Sequence, residues 1–570
     1  MYLEKIQSPE DLRKISKDKL PVLANEIREE IVNTITNNGG HLASNLGVVE
    51  LTIALHYVFD TPKDKIIFDV GHQVYTHKLL TNRKDKFNTI RQKGGLSGFS
   101  SAEESEYDTF ISGHASTSLS LACGLARART LKNDNFEIIS VIGDGSLSGG
   151  MVFEAINDLY NINGKQIWII NDNSMSISKT VGYIPQILNR IDRISKKGKI
   201  PTTNCEYYSG INGHDFNQLI DMFTYAKNTD NNVIIHINTV KGRGYRPAEL
   251  DPLTYHGIPS SNDTTGALTF SKQAGTSLAE VAKTNTNIVA VTAAMLNSVG
   301  LHKFSQLYPN RVFDVGICES HAVTMCSGMT ALGIKPYFMV YSSFLQRGFD
   351  QVIHDVCLEN LPVTFLVDRA GFVCDDGKTH QGIYDLSFFN SLPNMTILAP
   401  KDTSELDKMI KWSVDFNKPL VIRYPKGDLS INYEINENYS NNDVLSWEYL
   451  HKCDNNRVVI ATGARMCELA YKGLSTIQNS EKYSIINARC IKPLDEKMLN
   501  TLKNKNIVVL EDSLKNGGLY SSILVYLNEH NIKCKISSIS ICYKMPSIGT
   551  VSELQQECGI TVENILNKLK

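Results

Sequence analysis

Short apolar runs recur along the chain at 66–70, 138–142, 167–170 and 233–237, separated by stretches long enough for helices. Strands buried on both faces of a parallel sheet read this way, so the pattern predicts a parallel α/β unit. Runs resume at 288–292, 312–315, 337–341, 363–367 and 396–398, and again at 457–461, 484–487, 507–510 and 536–541, which predicts two further units of the same class. Turn-forming residues separate the sets: Gly257 to Gly266, with Pro259, Ser260, Ser261, Asn262 and Asp263, and the Asn- and acid-rich stretch 427–445. The expected domains are therefore 1–265, 266–430 and 445–570, all mostly parallel sheets flanked by helices. Ser8-Pro9-Glu10-Asp11 supplies an N-cap, a first-turn proline and first-turn acids, so a helix is expected to start there. The segment 183–205 is basic and polar and is expected to be mobile.

At 570 residues the chain exceeds one ordinary core. Its 58 Lys and Arg against 60 Asp and Glu leave a net charge of -2, which offers no polycation to nucleic acid or to an anionic membrane. The 12 cysteines are scattered without a Cys-x-x-Cys pair, the usage of a reducing compartment. Glu4, Glu10 and Asp11 near the start, without an apolar core, resemble neither a secretory signal nor a transit peptide. No apolar run reaches the about 18 residues that span a bilayer. The expectation is a cytoplasmic enzyme.

Asp144 and Asn173 carry the clearest chemical signal. Each follows an apolar run, in Gly143-Asp144-Gly145 and Asn171-Asp172-Asn173. If the runs are neighbouring parallel strands, a carboxylate and an amide oxygen meet at the carboxyl edge of one sheet, a donor set suited to a hard divalent cation. The two glycines let a diphosphate approach the backbone. For Gly-Asp-Gly alone, a tight strand-to-helix turn with a capping Asp is the plainer account. Glu319 follows the run 311–315 and opens a helix-like segment, where an acid is also explained by the helix dipole. His41, His72, His114 and His380 lie among small residues, which leaves room for a reactant beside an imidazole that titrates near neutrality. Arg369 and Arg423 each close an apolar run; surface ion pairs are the plain alternative.

Seven motifs follow one another along nearly the whole chain: Gly40-His41-Leu42-Ala43-Ser44; Asp69-Val70-Gly71-His72-Gln73 with His77-Lys78; Gly94-Gly95-Leu96-Ser97-Gly98-Phe99; Ser112-Gly113-His114-Ala115-Ser116-Thr117-Ser118; Gly143-Asp144-Gly145 with Asn173; Gly316-Ile317-Cys318-Glu319; and Asp376-Gly377-Lys378-Thr379-His380-Gln381-Gly382. In this order they resemble the 1-deoxy-D-xylulose-5-phosphate synthases, within the wider group of thiamine-diphosphate enzymes that includes transketolases. The resemblance implies a diphosphate-binding domain, a pyrimidine-binding domain and a transketolase C-terminal-like domain in a homodimer. It also implies condensation of pyruvate with D-glyceraldehyde 3-phosphate, releasing CO₂, at the entry to non-mevalonate isoprenoid synthesis and as a source for thiamine and pyridoxal.

By the same resemblance, Mg²⁺ lies on Asp144, Asn173 and the carbonyl of Met175, and the thiamine diphosphate contacts include His72, Gly113, His114, Ala115, Gly145, Ser146, Lys241, Glu319 and Phe344. Glu319 would hold the aminopyrimidine in its imino form. His41, His72, His380 and Asp376 would face the reactants, while Tyr341, Arg369 and Arg423 would anchor the acceptor's phosphate. Ser320, Leu296 and Cys374 depart from common family choices, and 183–205 is short for the family. A transketolase, a 2-oxoacid dehydrogenase component and a catalytically dead scaffold stay open as alternatives, although Glu319, Asp144 and Asn173 are all present.

Overall fold

The computed structural model describes residues 1–159, 161–162, 164–175, 181–194, 197–199, 205–259, 268–374, 376–427, 431, 433, 443–476, 482–542 and 545–570. Contacts divide it into two compact units, Met1–Thr264 with Gly316–Cys318, and Thr265–Val315 with Glu319–Lys570.

The first unit is built on β1 (Lys65–Phe68), β2 (Ile138–Gly143), β3 (Ile167–Asp172), β4 (Lys197–Lys199), β5 (Cys205–Asn212) and β6 (Asn232–Asn238), in the order β1-β2-β3-β6-β5-β4. Every pairing is parallel except β4 with β5. Alternate side chains explain why β2 and β3 are apolar along most of their length. Ile139, Val141, Ile167 and Ile169 face a core shared with helices Leu20–Asn38 and Val49–Val58. Ile138, Ile142, Trp168 and Ile170 face a second core with helix Ser118–Lys132. Both faces of β2 and β3 are dry, so each of these two strands contributes to two cores; truncating Ile169 to Ala would cost about 2–5 kcal/mol. The predicted N-terminal helix is present at Pro9–Arg13, and Asp11 Oδ2 accepts the Ser8 N–H at 3.3 Å.

The second unit contains β7 (Ile288–Thr292), β8 (Val312–Asp314), β9 (Lys335–Tyr341), β10 (Thr364–Asp368), β11 (Thr396–Leu398), β12 (Leu420–Arg423), β13 (Glu448–His451), β14 (Arg457–Ala461), β15 (Ser484–Asn487), β16 (Cys490–Lys492), β17 (Asn506–Leu514) and β18 (Lys535–Ile541). They form two sheets, β16-β11-β12-β10-β9-β7-β8 and β13-β15-β14-β17-β18. Only the β11–β16 and β13–β15 pairings are antiparallel. The whole therefore carries three mostly parallel sheets flanked by helices.

Four strands escape the apolar pattern for physical reasons. β5 is interrupted by Glu206, Ser209 and Gly210, with a register shift between Tyr208 and Ile211. β4 and β16 have three residues each, and β13 contains the buried Glu448, neutralised by Lys401 and Arg489. Of the segment expected to be mobile, Ile184–Ile194 is helical and Lys197–Lys199 is β4, while 195–196 and 200–204 lie outside the described residues. Most of both expected linkers lies outside them too. Among the described residues no helix is long and apolar enough to cross a membrane.

Candidate active site

In the first unit, the register Gly143↔Asn171 puts the ends of β2 and β3 side by side. Asp144 opens a tight helical turn, Asp144–Ser148, and is 3 % exposed. Past β3 the chain turns through Ser174, whose φ is 60°. Asp172 Oδ1 accepts the Ser174 N–H at 2.9 Å, and Asn173 Oδ1 accepts the Met175 N–H at 3.1 Å. Asp172 is itself held by His236 Nε2 at 2.9 Å, and His236 Nδ1 meets the Tyr207 hydroxyl at 3.0 Å. Burial pushes the Asp172 carboxyl up, but the bonds from His236 and Ser174 outweigh it and keep the group below its ordinary range.

The glycine- and serine-rich motifs are tied to this edge. Asp69, just past β1, accepts the N–H groups of Ser116 at 2.8 Å and Ser118 at 3.0 Å, and Ser116 Oγ donates to the Ser146 carbonyl at 2.7 Å. The segment with Gly113, His114 and Ala115 is thereby fastened to the turn with Asp144, Gly145 and Ser146. A side chain at Gly149 would start 2.3 Å from Ser116 Oγ, so only glycine fits. Asn171 joins two more motifs: its amide donates to Gln73 Oε1 at 3.4 Å and accepts from the Thr239 hydroxyl at 2.6 Å. Next to Thr239, Lys241 is 5 % exposed; burial lowers its ammonium to about 8 against the attraction of Asp144.

His41 and His72 come together, with ring centroids 5.3 Å apart. Asn45 is the reason, because its fully buried amide donates to the carbonyls of His41 at 2.6 Å and His72 at 2.8 Å. A third imidazole completes the group: His256 lies 5.6 Å from His41 and 5.9 Å from His72, with Nδ1 3.2 Å from Ser44 Oγ. The backbone pairing of Gly40 with Ile258 and the bond from Ala43 N–H to the Tyr255 carbonyl deliver it. Neither Asn45 nor His256 was singled out from the sequence. Asn45 directly follows a recognised motif, whereas His256 sits beside a turn-rich stretch and carries no local signal. The motif pair His77-Lys78 points elsewhere. Both side chains are buried, bonded to Asp108 and Glu104, so they hold the segment 97–108 rather than open onto the histidine group.

In the second unit, Glu319 begins helix Glu319–Thr330 and is 4 % exposed. Burial pushes its carboxyl up to about 7, opposed by a backbone hydrogen bond and the charge of Arg347. A carboxylic acid held half-protonated near neutrality can both donate and accept a proton. A second group surrounds Tyr341 at the end of β9. The Arg369 guanidinium lies 3.9 Å from its ring centre, Phe344 stacks on it at 5.5 Å, and His380 meets Phe344 edge-on at 5.4 Å. Asp376 exerts an electrostatic influence on Tyr341. Arg423, closing β12, is almost wholly buried; its Nε donates to Asp385 at 2.9 Å and its Nη1 lies 3.6 Å from Asp512. Of the departures from family choices, Leu296 is partly buried against the unit's core, and Ser320 and Cys374 are half-buried.

The donors suit the groups that such a site holds. Asp144, Asn173 and the Met175 carbonyl are all oxygen donors around one strand edge, as a hard cation requires, and Lys241 adds a buried positive charge. Among the described residues no three His, Cys, Asp or Glu side chains form a metal-binding cluster.

Residues 3–204 match the family described as 1-deoxy-D-xylulose-5-phosphate synthase, 266–431 the transketolase pyrimidine-binding domain, and 448–565 the transketolase C-terminal domain. Relatives named 1-deoxy-D-xylulose-5-phosphate synthase from Clostridium tetani, Clostridium acetobutylicum and Clostridium perfringens are 41%, 41% and 42% identical, covering 100% of this chain and 99% of each relative. The C. tetani alignment is 615 positions long against 570 residues here, so it places gaps in this chain. A solved transketolase from Campylobacter jejuni covers 97% of the chain and is itself covered to 99%, at 16% identity and a TM-score of 0.44. With three consecutive domain matches and full-length identity above 40%, the chain belongs to the 1-deoxy-D-xylulose-5-phosphate synthase family of thiamine-diphosphate-dependent, transketolase-type enzymes.

Proposed function

We infer that the chain condenses pyruvate with D-glyceraldehyde 3-phosphate to give 1-deoxy-D-xylulose 5-phosphate and CO₂, feeding isoprenoid precursor, thiamine and pyridoxal synthesis. The observation that carries the reading is Glu319, a buried carboxyl at about 7 at the head of a helix within a pyrimidine-binding domain match. When bound, thiamine diphosphate supplies a carbon nucleophile and an electron sink for decarboxylation. In the second unit Glu319 would hold a proton toward the aminopyrimidine, and Phe344 would offer it an aromatic surface. In the first unit Asp144, Asn173 and the Met175 carbonyl would hold Mg²⁺, while Gly113, His114, Ala115, Gly145, Ser146 and Lys241 would bind the diphosphate side. His41, His72 and His256 orient the donor and move protons at its oxygens. His380 and Asp376 bind the acceptor's hydroxyl groups, and Arg369, Arg423 and Tyr341 its phosphate.

The assembly we propose is a homodimer. Met151, Phe153 and Ile156 on helix Gly150–Leu159 are 41%, 49% and 49% exposed, apolar surface that a second copy would cover. A reducing compartment, the cytoplasm, agrees with twelve cysteines scattered along the chain without a Cys-x-x-Cys pair. Carbon-13 NMR of the protein with cofactor, Mg²⁺ and labelled pyruvate tests the reaction. Labelled 1-deoxy-D-xylulose 5-phosphate is expected only when the aldehyde is added; acetolactate or acetaldehyde alone, or unchanged pyruvate, overturns the assignment.

A further inference from the structure

Arg465 is in an unfavourable place for an unliganded cation. It lies in the first turn of helix Ala464–Ser475, where the backbone dipole disfavours positive charge, and that turn contains no acid. Its N-cap, Gly463, has no side chain to satisfy the free N–H groups. The residue is 8 % exposed. Its Nη2 donates to the Lys426 carbonyl at 2.8 Å, but its Nη1 is buried and has no hydrogen-bond partner among the described residues. A buried guanidinium N–H left unbonded is costly enough to call for an acceptor.

The surroundings indicate which acceptor. A side chain built at Gly463 would come 3.9 Å from Arg423 Nη1, so the start of this helix lies against the end of β12. Arg423 pairs in register with Val367, two residues before Arg369. Gly371, on the loop after Arg369, packs so closely on Asp512 that a side chain there would meet its carboxylate at 2.0 Å. Asp512 is the nearby carboxylate that both Arg423 and Arg465 influence; burial pushes it up, and Arg423 and then Arg465 pull it back. Its Oδ1 also lacks a hydrogen-bond partner among the described residues. Asp385 and Asp512 between them answer the charge of Arg423, so what remains open to a ligand is the unbonded Nη1 of Arg465 beside the helix N-terminus.

We propose that Arg465 is a third anchor for a phosphate monoester, its free Nη1 and the first turn of its helix completing the site begun by Arg369 and Arg423. This rests on the reading that the acceptor is D-glyceraldehyde 3-phosphate. The residue determines specificity: it discriminates phosphorylated from unphosphorylated acceptors.

The test compares kcat/KM for D-glyceraldehyde 3-phosphate and for D-glyceraldehyde in the holoenzyme at saturating pyruvate, for wild type, R465M and R465K. The phosphorylated-to-unphosphorylated ratio is expected to fall about ten-fold in R465M and less in R465K, with inhibition by inorganic phosphate weakened in parallel. A ratio within two-fold of wild type overturns the proposal, because an arginine that serves only as a structural partner of Asp512 would affect both acceptors alike. If R465M does not fold, R465K carries the decision, since lysine keeps the charge but loses the fork; an unaltered ratio there also overturns it. If wild type itself ignores D-glyceraldehyde 3-phosphate, the functional reading fails. Calorimetry with inorganic phosphate then decides separately, and equal affinity of wild type and R465K rules the site out.

Discussion

The candidate cation ligands of the first unit are held in place by short turns, whereas Glu319 in the second is tuned by burial. Asp144, Asn173 and Met175 lie on or beside tight turns closed by bonds spanning two or three residues, such as Asn173 Oδ1 to Met175 N–H. Glu319 instead owes its character to the removal of water around it, which raises its carboxyl to about 7. Arg423 similarly depends on Asp385 and Asp512, far from it in sequence. Turns place oxygen ligands for a cation; burial makes a proton donor out of an ordinary acid.

The largest expected effect comes from removing the group that burial tunes most directly. Glu319→Ala should lower kcat by about 10³-fold, within the range for a positioned acid-base group, with far-UV circular dichroism and cofactor binding retained. Activity within ten-fold of wild type would end the role assigned to it. His256→Ala should cost about 10²-fold in kcat, as removal of one member of a three-imidazole group should. An effect confined to stability would make His256 only the packing partner of Ser44 and His41. Asp144→Asn keeps the turn and removes one charge, so the Mg²⁺ concentration for half-maximal activity should rise about 30-fold while maximal activity is largely recovered. Removing the metal from wild type should abolish activity reversibly, and an unshifted Mg²⁺ titration in the variant would place the cation elsewhere.

The same contrast explains what could be read from the chain. The strands are legible because double-sided burial demands apolar runs, and the first unit's turns are legible because Gly143, Gly145 and their neighbours are adjacent in sequence. Asn45 was missed although it follows Ser44 directly, because its importance lies in reaching the carbonyls of His41 and His72 at once. His256 was missed because a backbone pairing between Gly40 and Ile258, more than 200 residues apart, delivers it. Arg423 was seen, but its double acid pairing was not, since Asp385 and Asp512 belong to other segments. His77 and Lys78 were seen as a motif, yet only the structure shows them turned inward to Asp108 and Glu104. Properties that arise from distant segments closing over a side chain leave no trace in its neighbours.

The smallest expected effect tests burial itself. Glu319 has an ordinary value of 4.5 and a folded value of about 7, so between those pH values the folded protein binds a proton that the unfolded chain has released. Stability from this group is therefore fully present below about 4.5 and lost as pH rises through about 7. The shift corresponds to roughly 3 kcal/mol at full extent. Glu319→Gln stays neutral throughout and should escape that loss. In thermal unfolding without cofactor, the Tm of the variant minus that of wild type should grow by a few degrees from pH 5 to pH 8. Glu511 is also raised to about 7 by burial, but it is common to both proteins and cancels in the difference. A flat difference would mean that water reaches Glu319 in the folded state, and the second unit would then resemble the first, with its acid placed by its turn rather than tuned by its surroundings.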